Sequence, residues 1–556
     1  MVRSVLTLAA LFVLACTPQA TTPNGVCTSS SSGAPSASSG APVVDATPAS
    51  NYDKPPQNVL DVMLAPSPPV PSANAAGDTL LMVSWVDYPP MSRVAEPFLR
   101  LGGLRLEPRT RARHDTPGGY QIAPCMRDLA VVAVATGAET RVQLPHGCAS
   151  GVQWSADNKH FALRNVADAV ELWLGDATTG QIHAVPNVRL NPMLGWTTQW
   201  MPDQKSLLVK LVPDDAGAPP AAQAAPFAPN VQETNGEKGE SSTYETRDTL
   251  QSKHDEDLFD YYGRSQLAFV DASTGAVTKL GKPAIFDDVD VAPDGEHIRV
   301  AIIHKPYSYI TTYDHFANDV SIWDRQGSVH AVASIPLADR VPVRGVRVGP
   351  RHFDWRANEP ATLVWAEALD GGDWKTKVPA RDKVLAQKAP FTGAPVEIVR
   401  TEQRFEGMSF GDAGLALAYE YDDNRHWSRT YAINVDDRNA KPSVLWDLSS
   451  DERYKNPGRA LMRQLPNGQW VLRQEGDALF LSGQGASPDG DRPFLDRFDL
   501  KTRKSQRLFR SDKTAYESFV AFGADTKTFL TSHQSPTDPP NVFARTLGAA
   551  ASAPKE

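Results

Sequence analysis

At 556 residues the chain is long enough for two to four average domains, or for one large repeat architecture with extensions. Its 56 lysines and arginines face 65 aspartates and glutamates, a formal charge of −9 with no long basic run. That balance argues against a nucleic-acid partner, because binding phosphate needs a basic face.

The N-terminus reads MVRSVLTLAALFVLAC: a short basic start, an apolar run from Val5 to Leu14, and small residues up to Cys16. The run is too short for a permanent membrane span and has the layout of an export signal. Val13-Leu14-Ala15-Cys16 resembles a bacterial lipoprotein cleavage box. Residues 1–15 are then a removed signal peptide and Cys16 the lipidated first residue of the mature chain, with ordinary signal cleavage as the alternative. Either way the protein leaves the cytoplasm; the lipidated form is anchored to a membrane of the cell envelope, facing the periplasm or the exterior. Residues 16–50, which include Cys27, are Ser, Pro, Ala and Gly with almost no large apolar side chain. They cannot bury enough surface to offset their ordering entropy and are expected to form a flexible tether.

Residues 51–115 are expected to form an N-terminal extension with one short helix around Tyr88 to Leu101. Next, Cys125 and Cys148 flank an apolar run, a turn at Gly137 and Ala138, and a second alternating run. A hairpin there brings the two cysteines nearly opposite each other, and an exported protein then forms a disulfide.

From Val152 a repeat sets in. An apolar strand ending at Trp154 is followed by a polar turn and a second strand, and the pattern recurs with equivalent anchors at Trp200, Val291, Trp355, Phe410, Gln464 and Phe522. Between most anchors lies a second hairpin signal, such as LWLGDATTGQIHAV or LAFVDASTGAVTKL. Two hairpins per unit give four antiparallel strands, and seven such units predict an all-β, seven-bladed β-propeller over residues 116–547, with 548–556 as a tail.

Gly407 to Gly411 read GMSFG, the G-x-S-x-G pattern of a nucleophile elbow. An elbow needs a buried strand before the serine and a helix after it. Here EIVRTEQRFE precedes and the alternating DAGLALAYEYDD follows, so Ser409 is expected in a blade strand and not as a nucleophile. Only His426 and His533 follow it. Asp287 with Asp288, and Asp422 with Asp423, have the composition of acid–base pairs but equally that of turns. The acidic, aromatic SKHDEDLFDYY around His254 reads as a solvated face or loop contact. Nothing in the spacing of histidines and cysteines suits a metal, and no cofactor motif is present.

Several longer segments carry a family likeness. KPPQNVLDVMLAPSPPVPS, YPPMSRVAEPFLRLGGLRLEPRT, the insertion from Pro229 to Asp271, VLWDLSSDERYKNPG, LSGQGASPDGDRPFLDRFDL and SHQSPTDPPNVFARTL occur in the order found in the glutamyl endopeptidase branch of the prolyl oligopeptidase family of serine peptidases, which this chain resembles from about Tyr52 to Leu547. The resemblance implies a propeller that restricts access to an α/β-hydrolase domain carrying Ser, Asp and His, and cleavage of peptides after glutamate. After NVFARTL the family continues into that domain, whereas here GAAASAPKE follows, so no catalytic residue transfers. The expected role is the non-catalytic, substrate-gating portion of an exported peptidase, inactive alone, meeting peptides through a hydrolase domain or partner chain and the membrane through its lipid. The alternatives are a stand-alone tethered propeller for binding or scaffolding, and a truncated remnant. Tyr88, Pro89, Pro90, Val94, Phe98, Leu99 and Leu101 are apolar residues expected to lack a partner without a hydrolase domain, which favours the gating role. A glutamate preference needs basic groups; Arg111, Arg113, Arg299 and Arg404 are available, and the sequence places none of them.

Overall fold

The computed structural model describes residues 54–116, 119–221, 247–437 and 439–548. The expected signal peptide, Cys16 and the tether lie outside these residues, as do residues 222–246, which hold the first part of the insertion. The chain divides into two units at residue 66. The first contributes helix α1 (Gln57–Met63), which buries no side chain. The second, from Ser67 on, holds everything described below.

It is a succession of antiparallel sheets, numbered I to VIII here. All seven sequence anchors are the last residues of the first strands of sheets II to VIII: Cys148–Trp154, Thr198–Trp200, Val277–Val291, Pro350–Trp355, Arg404–Phe410, Met462–Gln464 and Tyr516–Phe522. Each is followed by a tight turn and a second strand. The residue three after the anchor often builds that turn: Asp203, Asp294 and Asp525 each accept two backbone N–H bonds of 2.8–3.1 Å. Aspartate does this because its short carboxylate reaches the backbone two residues on. The second hairpins use the same device at Asp176, Asp271 and Asp499.

Burial falls from the inner strands outward. All six residues of Ser206–Leu211, the second strand of sheet III, are buried, whereas four of five in Ala138–Val142, the outermost strand of sheet I, are exposed. Inner strands are covered on both faces by neighbouring sheets, so they read as continuous apolar runs. Strand Val277–Val291 serves twice, as the outer strand of sheet III and the inner strand of sheet IV.

The count of seven is one short. Sheet I, in the order Val70–Ala73, Thr79–Trp85, Met126–Ala133 and Ala138–Val142, has the same meander. Its period was hidden because residues 86–125 are inserted between its second and third strands and its anchor is Ala73, not an aromatic residue. Residues 51–115, expected as an extension, therefore supply two strands of this sheet.

Contacts between successive sheets run all the way round. The Trp154 indole donates to the Ser72 carbonyl of sheet I (3.1 Å), that of Trp200 to Gln153 of sheet II (3.4 Å), and that of Trp355 to Asp290 of sheet IV (3.1 Å). Sheets III and IV join through Gln199 and Asp290 (3.1 Å), V and VI through Asn358 and the Gly411 carbonyl (2.8 Å), and VI and VII through Asp412 N–H and Gln474 (3.0 Å). Phe480 of sheet VII meets Phe522 of sheet VIII edge to face, and Gly77 of sheet I lies directly on the Phe522 carbonyl, a position where φ of +65° and the absence of a Cβ are both required. The last sheet thus touches the first, the closed ring of a β-propeller. Cys125 and Cys148 sit at the joint between sheets I and II, with Cα atoms 4.9 Å apart and the sulfurs at bonding distance. They link two sheets and do not lie across a single hairpin, because Cys148 opens the next sheet.

Opposite the anchor turns, the loops joining second to third strands build a lobe. Residues 86–125 of sheet I form helix α2 (Met91–Val94) and the hairpin Leu99–Leu101/Leu104–Leu106; residues 212–263 of sheet III end in helix α3 (Lys253–Gly263). Ser252 caps α3 by accepting from Asp255 N–H, and Asp255 and Glu256 favour its positive end. Leu101, Leu104 and Leu106 pack with Leu258, Phe259 and Tyr262 of α3 and with Phe316 from sheet IV. The acidic segment around His254 is therefore half a core helix. Leu99, Leu101 and Phe98, expected to lack a partner, have one: the leucines join this cluster and Phe98 stacks on His114 at 4.8 Å. Tyr88, Met91 and Val94 remain exposed.

Trp355 is 1% exposed. Trp355→Phe leaves the Asp290 carbonyl without its donor and the core short of part of a ring, so a loss of about 1–3 kcal/mol is expected in urea unfolding of the purified chain. Trp470→Phe, at an exposed indole, should be neutral within about 0.5 kcal/mol.

Candidate functional site

Ser409 lies inside strand Arg404–Phe410, paired with Leu417 of the next strand, and accepts a 3.2 Å bond from the Tyr419 hydroxyl. A strand follows it and no helix does, so the strained elbow geometry is absent. His426 sits at 3.5 Å from Asp451, and His533 packs edge to face on Phe543. Neither forms a bond to Ser409. Among the described residues no group of His, Cys, Asp and Glu could hold a metal ion.

The two acidic pairs separate cleanly. Asp422 accepts from Asn424 and Arg425 N–H in a turn, and Asp423 pairs with Arg344 at 2.9 Å. Asp287 and Asp288, by contrast, begin the inner segment of sheet IV, beneath the lobe, in a cluster with Lys210, Asp290 and Arg299. Arg299 holds Asp288 at 2.9 Å and Asp290 at 3.9 Å, and Gln199 donates to Asp290 at 3.1 Å. Lys210, on the second strand of sheet III, is 2% exposed and donates to the Leu194 carbonyl.

Burial dominates the titration of this cluster. It pushes Asp290 up to about 6 against the pull of Arg299. Asp287 also rises to about 6, from burial and the neighbouring Asp288, with Lys210 opposing. Lys210 falls to about 8 for the same first reason, with Asp288 and Asp287 opposing. Both Lys210 and Asp290 are buried, at 2% and 5% exposed.

A second cluster joins sheets V and VI. Asp370 and Asp382 are completely buried as side chains. Arg404 bonds both, at 2.6 and 3.1 Å, Arg381 bonds Asp370 at 2.8 Å, and Arg351 bonds Asp382, which also accepts from Phe405 N–H at 2.7 Å. The other two arginines considered for recognition are engaged as well. Arg111 donates to the Tyr261 carbonyl (2.9 Å) with its guanidinium 4.5 Å over that ring, and Arg113 donates to the Met193 carbonyl (3.0 Å) and the Tyr313 hydroxyl (3.4 Å). The four arginines therefore hold the ring and its lobe. Lys210 and Asp290 could not be singled out in sequence, since each lies in a strand with nothing local to mark it.

Against known proteins, no family model matches. A probable chloroplastic glutamyl endopeptidase of Oryza sativa subsp. japonica is 33% identical over 502 residues, 85% of this chain and 52% of the rice protein. The protein of the same name from Arabidopsis thaliana is 33% identical over 522 residues, 88% of this chain and 53% of its own length. This chain is a relative of proteins named glutamyl endopeptidases. It spans about half the length of the curated relatives it matches. Among solved structures, an acylaminoacyl peptidase of Pyrococcus horikoshii covers 85% of this chain and 58% of its own at 11% identity and a TM-score of 0.39, an overlap too loose to carry a conclusion.

Asp290 gives the clearest solution signature. Its folded pKa lies above its unfolded value near 3.8, so the folded state binds the proton more tightly and gains stability as pH falls through 6 toward 4. Relative to Asp290→Asn, the wild type should therefore melt progressively higher between pH 7.5 and pH 4.5. A difference that does not change with pH would exclude the raised carboxyl.

Proposed function

We propose that this chain is the substrate-gating, non-catalytic propeller portion of an exported serine peptidase related to the glutamyl endopeptidases. The serine, histidine and acid would be supplied from outside residues 54–548, by further chain or by a partner. The observation that carries the reading is the 33% identity maintained over 85% of the chain with a relative named as an endopeptidase. Two structural facts support it. Ser409 is built into a blade strand without a base, and Tyr88, Met91 and Val94 stay exposed on the lobe, an apolar surface of the kind that docks another domain. Peptides would reach the hydrolytic site only through or beside the ring, which excludes folded proteins.

The test is fluorophosphonate labelling of an affinity-tagged chain recovered from its native membrane fraction. Label on a co-purifying chain, or on a longer form of this one outside residues 54–548, is the expected result. Label on Ser409, lost in Ser409→Ala, would overturn the assignment, and no label anywhere would replace gating by a binding or scaffolding role.

We further propose that Cys16 carries a lipid that tethers the protein to the cell envelope. Among the described residues no helix is long and apolar enough to cross a membrane. Metabolic labelling with an alkyne fatty acid should mark the wild type and not Cys16→Ser; equal labelling of both would remove the anchor.

A further inference from the structure

The first hairpin of sheet VII differs from those of its neighbours. Strands Met462–Gln464 and Trp470–Leu472 pair with each other, and only the residues flanking them, Arg459–Ala460 and Gln474–Glu475, pair with the strand Ala478–Gly483 that follows. In sheets II, V and VI the second strand pairs directly with the third. The base of the hairpin is anchored, with Val471 and Leu472 completely buried. Its tip, Pro466 to Gln469, is a polar turn closed by the Gly468 N–H to Leu465 carbonyl bond at 2.9 Å.

That tip reaches sheets far from its own. Asn467 Nδ2 donates to the Pro293 carbonyl and Gln469 Nε2 to the Val291 carbonyl, both at 3.3 Å and both in sheet IV. A Cβ built on Gly468 would lie 3.3 Å from the Gln204 amide of sheet III and 4.0 Å from the Ala156 Cβ of sheet II. In a closed ring of eight sheets the third lies opposite the seventh, and the second and fourth flank it. One turn of sheet VII thus bonds the anchor turn of sheet IV and lies close to those of sheets II and III, which requires it to reach across the ring's axis.

We infer that the Pro466–Gln469 turn is a releasable stopper that closes the axis of the ring on the anchor-turn face. The tip is held at sheet IV by two long amide-to-carbonyl bonds, each worth little net of the water it displaces. Toward sheets II and III the tip presents the bare Gly468, where an added Cβ would come to 3.3 Å from the Gln204 amide and 4.0 Å from the Ala156 Cβ. Its fixed base and weakly held tip make it a flap that swings without unfolding sheet VII. The consequence for peptides rests on the gating reading: while the turn is seated, passage along the axis from this face is shut.

The test uses the full chain and needs no peptidase activity, so its failure is distinct from failure of the gating reading. In Ala156→Cys/Gly468→Cys the built Cβ separation of 4.0 Å falls in the range of disulfides. Mild oxidation should give a 156–468 bridge found by non-reducing peptide mapping and lost in either single variant; a folded double variant without the bridge would show that the tip does not cross. In Gly468→Cys, adding Asn467→Ala and Gln469→Ala should speed maleimide labelling roughly thirtyfold, two hydrogen bonds' worth, with little change in melting temperature. Acceleration that merely tracks a lowered melting temperature would mean the turn opens only when the protein unfolds, and would overturn the flap. If Gly468→Cys fails to fold, hydrogen exchange replaces it: Gln469→Ala should quicken exchange in both 465–469 and 291–294, and no change in either would overturn the inference.

Discussion

A buried indole N–H must find an acceptor, and three of the seven sequence anchors solve that problem in one way. Trp154, Trp200 and Trp355 each donate to a carbonyl one residue before the anchor of the preceding sheet, at Ser72, Gln153 and Asp290. The bond fixes both the distance and the rotation between neighbouring sheets, because the indole is rigid and its donor points one way. Other joints are polar by different groups, as with Gln199 and Asp290 or Asn358 and Gly411, while Phe480 and Phe522 make an aromatic one. Inner strands apolar on both faces demand neighbours, and these bonds settle how the neighbours sit.

Much of this was legible in the sequence because the signals are local. An apolar strand end, an aspartate three residues later and a second apolar run recur within a dozen residues, and all seven anchors ended strands. Sheet I escaped because its hairpins are separated by residues 86–125, so no local window contains it. Cys125 and Cys148 lie close because adjacent sheets meet there, not because one hairpin holds them. The flanks of Ser409 predict a strand, and a strand is where it lies.

The interior chemistry was not legible. Lys210 and Asp290 become unusual only when strands from different sheets enclose them, and Asp370 meets Arg404 across two sheets. The apolar residues of the lobe were misjudged for the same reason. Leu101 needs α3, which lies more than 150 positions away in the chain and reads as a charged run. Its acidic face looks outward while Leu258, Phe259 and Tyr262 face in, an amphipathic pattern dominated in the raw sequence by its charges.

The two faces of the ring are built by different means, and this bears on what can move. The lobe is assembled from inserted loops of three sheets around an apolar cluster, so displacing it would expose Leu101, Phe259 and Phe316 together. Burial of such side chains is worth roughly 1.5–3 kcal/mol each, which makes the lobe a fixed part of the fold. On the other face the closing element is one polar turn with two long hydrogen bonds. Of two elements, the one held by fewer and weaker contacts moves at the lower cost. The inferred flap therefore lies on the face where movement costs least, and the buried charges beneath the lobe belong to the fixed frame.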